Sequence, residues 1–159
     1  MSESILFQCD GPVARLTLNR PEVLNALDVG MAHAFLAACR KLATAPGVRV
    51  LVLQGAGRSF MAGGDLAAMQ ADPRGVASEL ITTMHEALRM LAEGSVLVLA
   101  ALHGPVAGAG LSLANPRGIT QHIGEAPRDQ RADAERVAVD GVHDAFGPAA
   151  GQCHLRQRR

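Results

Sequence analysis

Apolar residues in the first two thirds of the chain follow two rhythms that alternate. Residues 4 to 9 and 12 to 18 flank Asp10-Gly11, and an aspartate-glycine pair between two apolar runs predicts a β-hairpin. Asn19-Arg20-Pro21 ends the second strand, because proline cannot continue a ladder. Met31, Phe35, Ala38 and Leu42 then recur at helical spacing, with Asp28 placed as N-cap and Ala45-Pro46-Gly47 as the stop. Residues 48 to 54 are apolar on both faces, the pattern of a strand covered on both sides of a sheet. Leu80, Met84, Leu88 and Leu91 mark one face of a second long helix, opened by Asp72-Pro73 and closed near Gly94. Residues 96 to 102 repeat the doubly buried strand.

Each buried strand runs into glycine. Gly55, Gly57, Gly63 and Gly64 follow the first, and the stretch from Ser59 to Met69 reads as a glycine turn feeding a short helix. His103 to Gly110 follow the second strand and enter another apolar helix. A chain leaving a buried strand through such a turn presents unpaired backbone N–H groups, which suit a developing negative charge. Glycines after a strand also make plain turns, and the pattern alone leaves both readings open. A dinucleotide fingerprint fits poorly, since Gly55 to Phe60 lacks the third small residue. Parallel neighbouring strands would bring the two helix starts together at their carboxyl ends, where open α/β sheets place ligands.

Composition narrows the function classes. The 159 residues hold 15 basic and 15 acidic side chains, four Phe and no Trp or Tyr, which argues against a nucleic-acid surface or a polybasic membrane anchor. Cys9, Cys39 and Cys153 are odd in number and widely spaced, with no metal-ligand pattern. A reduced cytoplasmic setting is expected from them, and the N-terminus shows no secretory signal. Ser95 to Ala114 has the length of a membrane span and almost no charge, but its central glycines, histidine and proline read as strand, turn and helix.

Three motifs in order carry a family resemblance: Asn19-Arg20-Pro21 with Asn25-Ala26-Leu27; Gly55 to Arg58 with Phe60-Met61-Ala62-Gly63-Gly64-Asp65-Leu66; and Ala101-Leu102-His103-Gly104 through Gly110. Together they resemble the crotonase (enoyl-CoA hydratase/isomerase) family over residues 4 to 114. The resemblance implies an α/β fold, a crotonase-like (ClpP/crotonase) spiral of ββα units that is incomplete here, and assembly as a homotrimer or hexamer. It implies an acyl-CoA or enoyl-CoA substrate, with coenzyme A as part of that substrate and no separate cofactor or metal. By the same resemblance Gly64 and Ala109 supply the two oxyanion-hole N–H groups. The substrate would lie along Val23, Leu24, Ala26, Ala62, Gly63, Asp65, Leu66 and Gly110. Asp65 would order the loop, and a helix-capping role alone is the plainer reading of it.

The chain departs from the family pattern at two places. Ser112 stands where hydratases of the family carry their first glutamate, and a serine hydroxyl is a poor general base near neutral pH without a partner. From Asn115 the expected apolar strand gives way to a tail, residues 115 to 159, rich in Arg, Asp, Gln and Gly, a composition unable to bury a core. His122, Glu125, Asp129, Asp133, Glu135 and His143 match no family site by spacing and read as a solvated polar segment. The abrupt change reads as a frame shift or truncation. Two functions remain: an enoyl-CoA hydratase or isomerase of acyl-CoA metabolism, or a non-catalytic acyl-CoA-binding fragment lacking its acid/base groups.

Overall fold

The computed structural model describes residues 3–68, 70 and 72–114. The hairpin forms first: β1 (Ile5–Asp10) pairs antiparallel with β2 (Val13–Leu18), Asp10 opposite Val13. Its two-residue loop is Gly11-Pro12, one residue later than the expected Asp10-Gly11. Gly11 takes φ +55°, which a two-residue hairpin loop demands at its first position, and proline fills the second.

Beyond β2 the chain makes a single 3-10 turn at Pro21–Val23 and enters α1 (Val29–Thr44). The Asp28 carboxylate caps α1 by accepting from Met31 N at 2.7 Å, an interaction worth about 1 kcal/mol. Met31, Phe35, Ala38 and Leu42 are all buried, as their spacing requires. Next come β3 (Val50–Gly55), α2 (Pro73–Glu93), β4 (Leu97–Ala101) and the short α3 (Ala109–Ala114). Asp72 caps α2 through Gly75 N at 3.0 Å, with Pro73 opening the helix where its missing N–H costs nothing.

The strands form one sheet in the order β1-β2-β3-β4, antiparallel at the first pair and parallel at the other two. Parallel pairing requires a crossover, and α1 and α2 supply the two crossovers. β3 is buried on both faces at Val50 to Leu53, whereas β2 buries alternate residues, Ala14, Leu16 and Leu18. The core joins this sheet to Met31, Phe35, Leu36 and Cys39 of α1 and to Leu80, Met84, Ala87 and Leu91 of α2.

Two side-chain contacts cross between the helices on their exposed side, the hydrogen bond His33–Glu79 and the ion pair Arg40–Glu86, each 2.7 Å. Both span 46 residues, so α1 and α2 run in the same direction with a fixed register. Exposed pairs of this kind contribute about 0.2–1 kcal/mol, less than the apolar seam beneath them.

The expected short helix after the first glycine turn is a correction. Residues 66 to 68 form a turn instead, closed by the Asp65 carboxylate accepting from Ala68 N at 3.2 Å. The Asp65 carboxylate makes the same contact, to the N–H three residues on, that caps α1 and α2, and residues 66 to 68 are exposed. Thus the second glycine turn opens a helix and the first does not.

Candidate active site at the glycine turns

Three loop segments lie side by side beyond the carboxyl ends of β2, β3 and β4. The first, residues 24–27, hydrogen-bonds to the second, 60–65: Ala62 N to Leu24 O (3.1 Å), Leu27 N to Gly63 O (2.8 Å) and Asp65 N to Leu27 O (2.8 Å). The second bonds to the third, 103–107, through Phe60 N to His103 O (2.8 Å) and Ala107 N to Met61 O (3.0 Å). Leu27 with Gly64 and Met61 with Val106 are parallel bridges. The spot where the sequence placed its two turns is therefore a small three-ply platform, hydrogen-bonded crosswise.

This pairing constrains the backbone on either side of Gly64. In a parallel bridge the partner engages the groups flanking the bridged residue, here Gly63 O and Asp65 N. The N–H of Gly64 itself is therefore not engaged by Leu27. Gly63 and Gly108 bring the second and third segments into contact: a Cβ built on Gly108 would lie 3.5 Å from Gly63 Cα. Ala109 begins α3, where an N–H has no intrahelical acceptor. In the hydrogen bonds tying these segments together, neither the Gly64 nor the Ala109 N–H is a donor. Gly64 is exposed and Ala109 half-buried.

The other expected substrate residues surround this platform. Ala62 and Gly63 are in the second segment, Leu24 and Ala26 in the first, and Gly110 is buried in α3 with its α-carbon against Met61, whose carbonyl a Cβ would approach to 2.6 Å. Val23 and Leu66 are among the exposed large apolar side chains, at 37% and 77%. The structure thus brings Leu24, Ala26, Ala62, Gly63, Gly64, Asp65, Ala109 and Gly110 to one end of the sheet. Ser112 is exposed on α3. Glu125 and Asp129, like the whole of 115 to 159 that the sequence reads as a polar tail, lie outside the described residues.

Side chains that the sequence reading used only as motif letters hold the platform. Arg20 reaches three partners, donating through Nη1 to Ala26 O (2.7 Å) and pairing with Asp28 Oδ2 (2.9 Å) and Asp65 Oδ2 (3.1 Å). Asn25 is fully buried: its Oδ1 accepts from Arg20 N (2.8 Å), and its Nδ2 donates to Ala56 O (2.9 Å) and Ser59 O (2.7 Å). The Ser59 hydroxyl donates to Pro105 O at 2.8 Å, and His103 Nε2 lies 3.2 Å from Gly57 O, a contact that needs the proton on that nitrogen. A polar Asn inside the apolar run Leu24 to Leu27 was the available signal. A buried amide with no partner costs too much to be left unpaired, so its presence announced a network.

Asp65 is held as a carboxylate. The Ala68 N–H lowers its pKa most; burial opposes this, and the Arg20 guanidinium, by hydrogen bond and charge, and the Ala67 N–H lower it further. Elsewhere, a cavity of about 180 Å³ lined by Cys39, Leu42, Val48, Met90, Leu91 and Val96 lies where α1 and α2 end. It is at the opposite end of the sheet from the glycine turns. Burial pushes the Cys39 thiol up to about 12, leaving too little thiolate near neutral pH for nucleophilic chemistry. Among the described residues no cluster of three or more His, Cys, Asp or Glu is placed to hold a metal, and no helix is long and apolar enough to cross a membrane.

The family model for enoyl-CoA hydratase/isomerase matches residues 8–116. The chain is 42% identical over 119 residues to 1,2-epoxyphenylacetyl-CoA isomerase of Escherichia coli, covering 72% of this chain and 45% of that protein. It is 33% identical over 123 residues to the peroxisomal Delta(3,5)-Delta(2,4)-dienoyl-CoA isomerase of Arabidopsis thaliana, covering 70% and 44%. A crystal structure of an enoyl-CoA hydratase from Mycobacterium smegmatis superposes with a TM-score of 0.69 at 32% identity, over 75% of this chain and 47% of that one. The chain therefore spans less than half the length of these relatives, and its fold is part of the crotonase fold. With the motifs, the platform and the family match all falling on the same residues, the chain belongs to the enoyl-CoA hydratase/isomerase family.

Proposed function

We propose that the platform binds the thioester carbonyl of an acyl-CoA or enoyl-CoA and stabilises the enolate formed beside it, through the backbone N–H groups of Gly64 and Ala109. The observation that carries this reading is the parallel bridge at Leu27. By engaging Gly63 O and Asp65 N it leaves the Gly64 N–H unused by Leu27, which supports its availability as a donor. Backbone donors fixed in this way need no rearrangement as charge develops on the carbonyl oxygen, which is why such sites lower barriers. Val23, Leu24 and Leu66 offer apolar contact around it for the body of the substrate.

A second reading is favoured by Ser112. Hydration needs a positioned group to deliver water and another to deliver a proton, each worth about 10² to 10⁴ in rate. Ser112 is exposed and no carboxylate stands at its position. On this reading the platform binds acyl-CoA and supports enolate formation without efficient hydration. The discriminating experiment follows crotonyl-CoA hydration and solvent deuterium exchange beside the thioester carbonyl in parallel, in the wild type and in Gly64→Pro. Proline removes the N–H. Exchange should fall by about 10² to 10³ in the variant, the usual cost of losing one oxyanion donor. Fast hydration in the wild type would select the first reading; equal exchange in a folded Gly64→Pro protein would overturn both.

A further inference from the structure

Two consecutive residues of the first segment, Leu24 and Asn25, adopt left-handed backbone conformations, with φ +55° and +57°. Neither is glycine, so this path is costly and persists only where surrounding contacts over-determine it. The contacts converge on Arg20. Its backbone N–H donates to Asn25 Oδ1 and its backbone carbonyl accepts from Asn25 N at 2.9 Å. Its guanidinium then reaches past the strained pair to Ala26 O, to the cap residue Asp28 and to Asp65.

Asp65 follows Gly64 directly, and its own N–H is one of the two bonds that set the Gly64 peptide through Leu27. One arginine therefore ties together the strained loop, the first turn of α1 and the residue next to the proposed donor. The Arg20 side chain is 19% exposed and that of Asp65 16%, so the pair is partly withdrawn from solvent. Arginine suits the task because its planar fork serves several acceptors at once, which a lysine ammonium on a flexible stem does less well.

We propose that Arg20 is a positioning residue that sets the direction of the Gly64 N–H by clamping Asp65 to Asp28 and Ala26. The proposal rests on the oxyanion reading above for its functional meaning, but the clamp is measurable without a substrate. Arg20 does not touch the thioester; it acts through Asp65 and Leu27.

The test compares the full-length wild type with Arg20→Met and Arg20→Lys, and with Asp65→Asn, which breaks the pair from the other side should Arg20→Met fail to fold. Amide hydrogen exchange is read at Leu27 and Asp65, whose N–H groups make the two bonds flanking Gly64, and at Leu51 and Leu53 in the buried strand. Protection at Leu27 and Asp65 should fall by about tenfold or more in Arg20→Met, the scale of a lost hydrogen bond to a charged group, with Leu51 and Leu53 unchanged and Arg20→Lys intermediate. Unchanged protection at Leu27 and Asp65 in a folded variant overturns the proposal.

The second readout is the ionisation of bound acetoacetyl-CoA, a 3-keto thioester whose enolate is followed by ultraviolet absorbance. Its midpoint should rise by about one pH unit in Arg20→Met, the equivalent of a tenfold loss of enolate stabilisation, while affinity for CoA lacking the acyl group stays within about twofold. Equal midpoints, where the wild type does lower the midpoint relative to the free thioester, also overturn the proposal. If the wild type does not lower it, the oxyanion reading fails, and the exchange measurement still decides whether Arg20 holds the turn.

Discussion

The two glycine turns arrive at the same place by different means. The first, after β3, is governed by polar side chains: Arg20, Asn25 and Asp65 supply most of its tethers, and two of the three are charged. The second, after β4, rests on close approach to the first, which is itself tight at Gly55, where a Cβ would meet the Ser59 and Phe60 carbonyls. A Cβ on Gly104 would sit 2.1 Å from Arg58 O, and one on Gly110 2.6 Å from Met61 O. The first turn buries Ser59 to Met61 and Gly63 before residues 66 to 68 turn at the surface, whereas the second, exposed or half-buried from His103 to Ala109, passes straight into α3. Charge can hold a loop at a distance and responds to solvent; steric contact admits almost no adjustment and is indifferent to pH.

The largest expected effect strikes the close-packed turn. Gly104→Ala forces a methyl into a backbone carbonyl at a residue with φ +57°, and should destabilise by about 3 kcal/mol or more. Gly11→Ala has nearly the same φ, +55°, with nothing within 4 Å of the added carbon, so it should cost only about 1 to 2 kcal/mol. Denaturant melts of the two variants isolate the contact from the backbone strain; equal losses would remove the steric half of the comparison.

Next comes the polar turn. Asn25→Ala strips the buried partner from Arg20 N, Ala56 O and Ser59 O, and should cost about 2 to 4 kcal/mol. The same denaturant melts read it, and a loss below that of Gly11→Ala would show the amide to be dispensable.

A smaller, pH-dependent effect separates the turns by kind. Asp65 has a folded pKa below its ordinary value, so it contributes stability above an unfolded pKa of about 3.9, and that contribution is lost as pH falls through the folded value. Asp65→Asn should therefore be less stable than wild type near neutral pH, with the two curves converging as pH falls below the ordinary carboxylate range. Melting curves from neutral into acid check it; a gap that stays constant throughout would mean the carboxylate charge plays no part. Smallest of all is His103→Ala, which removes one long contact to Gly57 O and should cost about 1 kcal/mol or less by the same assay.

Much of this was legible in the sequence, for reasons that differ by element. α1 and α2 were readable because Asp28 and Asp72 cap them and their apolar residues keep helical spacing. β3 and β4 were readable as doubly buried runs. The hairpin loop came out one residue off because Gly11, not Asp10, occupies the left-handed position. After Gly64 the Asp65 carboxylate accepts from Ala68 N as a helix cap does, so the local signal was right in kind, yet residues 66 to 68 make only a turn. The long-range tethers were the least visible. Arg20 meets Asp65 across 45 residues and Asn25 meets Ser59 across 34, separations at which no periodicity carries a signal.

The separation of 46 residues that links His33 to Glu79 and Arg40 to Glu86 recurs between Gly57 and His103 and between Ser59 and Pro105. It works as a gauge of chain length between matching points of successive layers, and so governs which insertions and deletions the fold tolerates. One residue added inside α2 turns everything after it by about 100° about the helix axis, carrying Glu86 off Arg40 and Leu91 out of the core. One added inside β4 exchanges its two faces. The exposed residue Gln70 lies between the matched points and outside both helices and both strands, so a chain lengthened there keeps the register of α1 with α2 and of the two glycine turns only if the added residue is looped out.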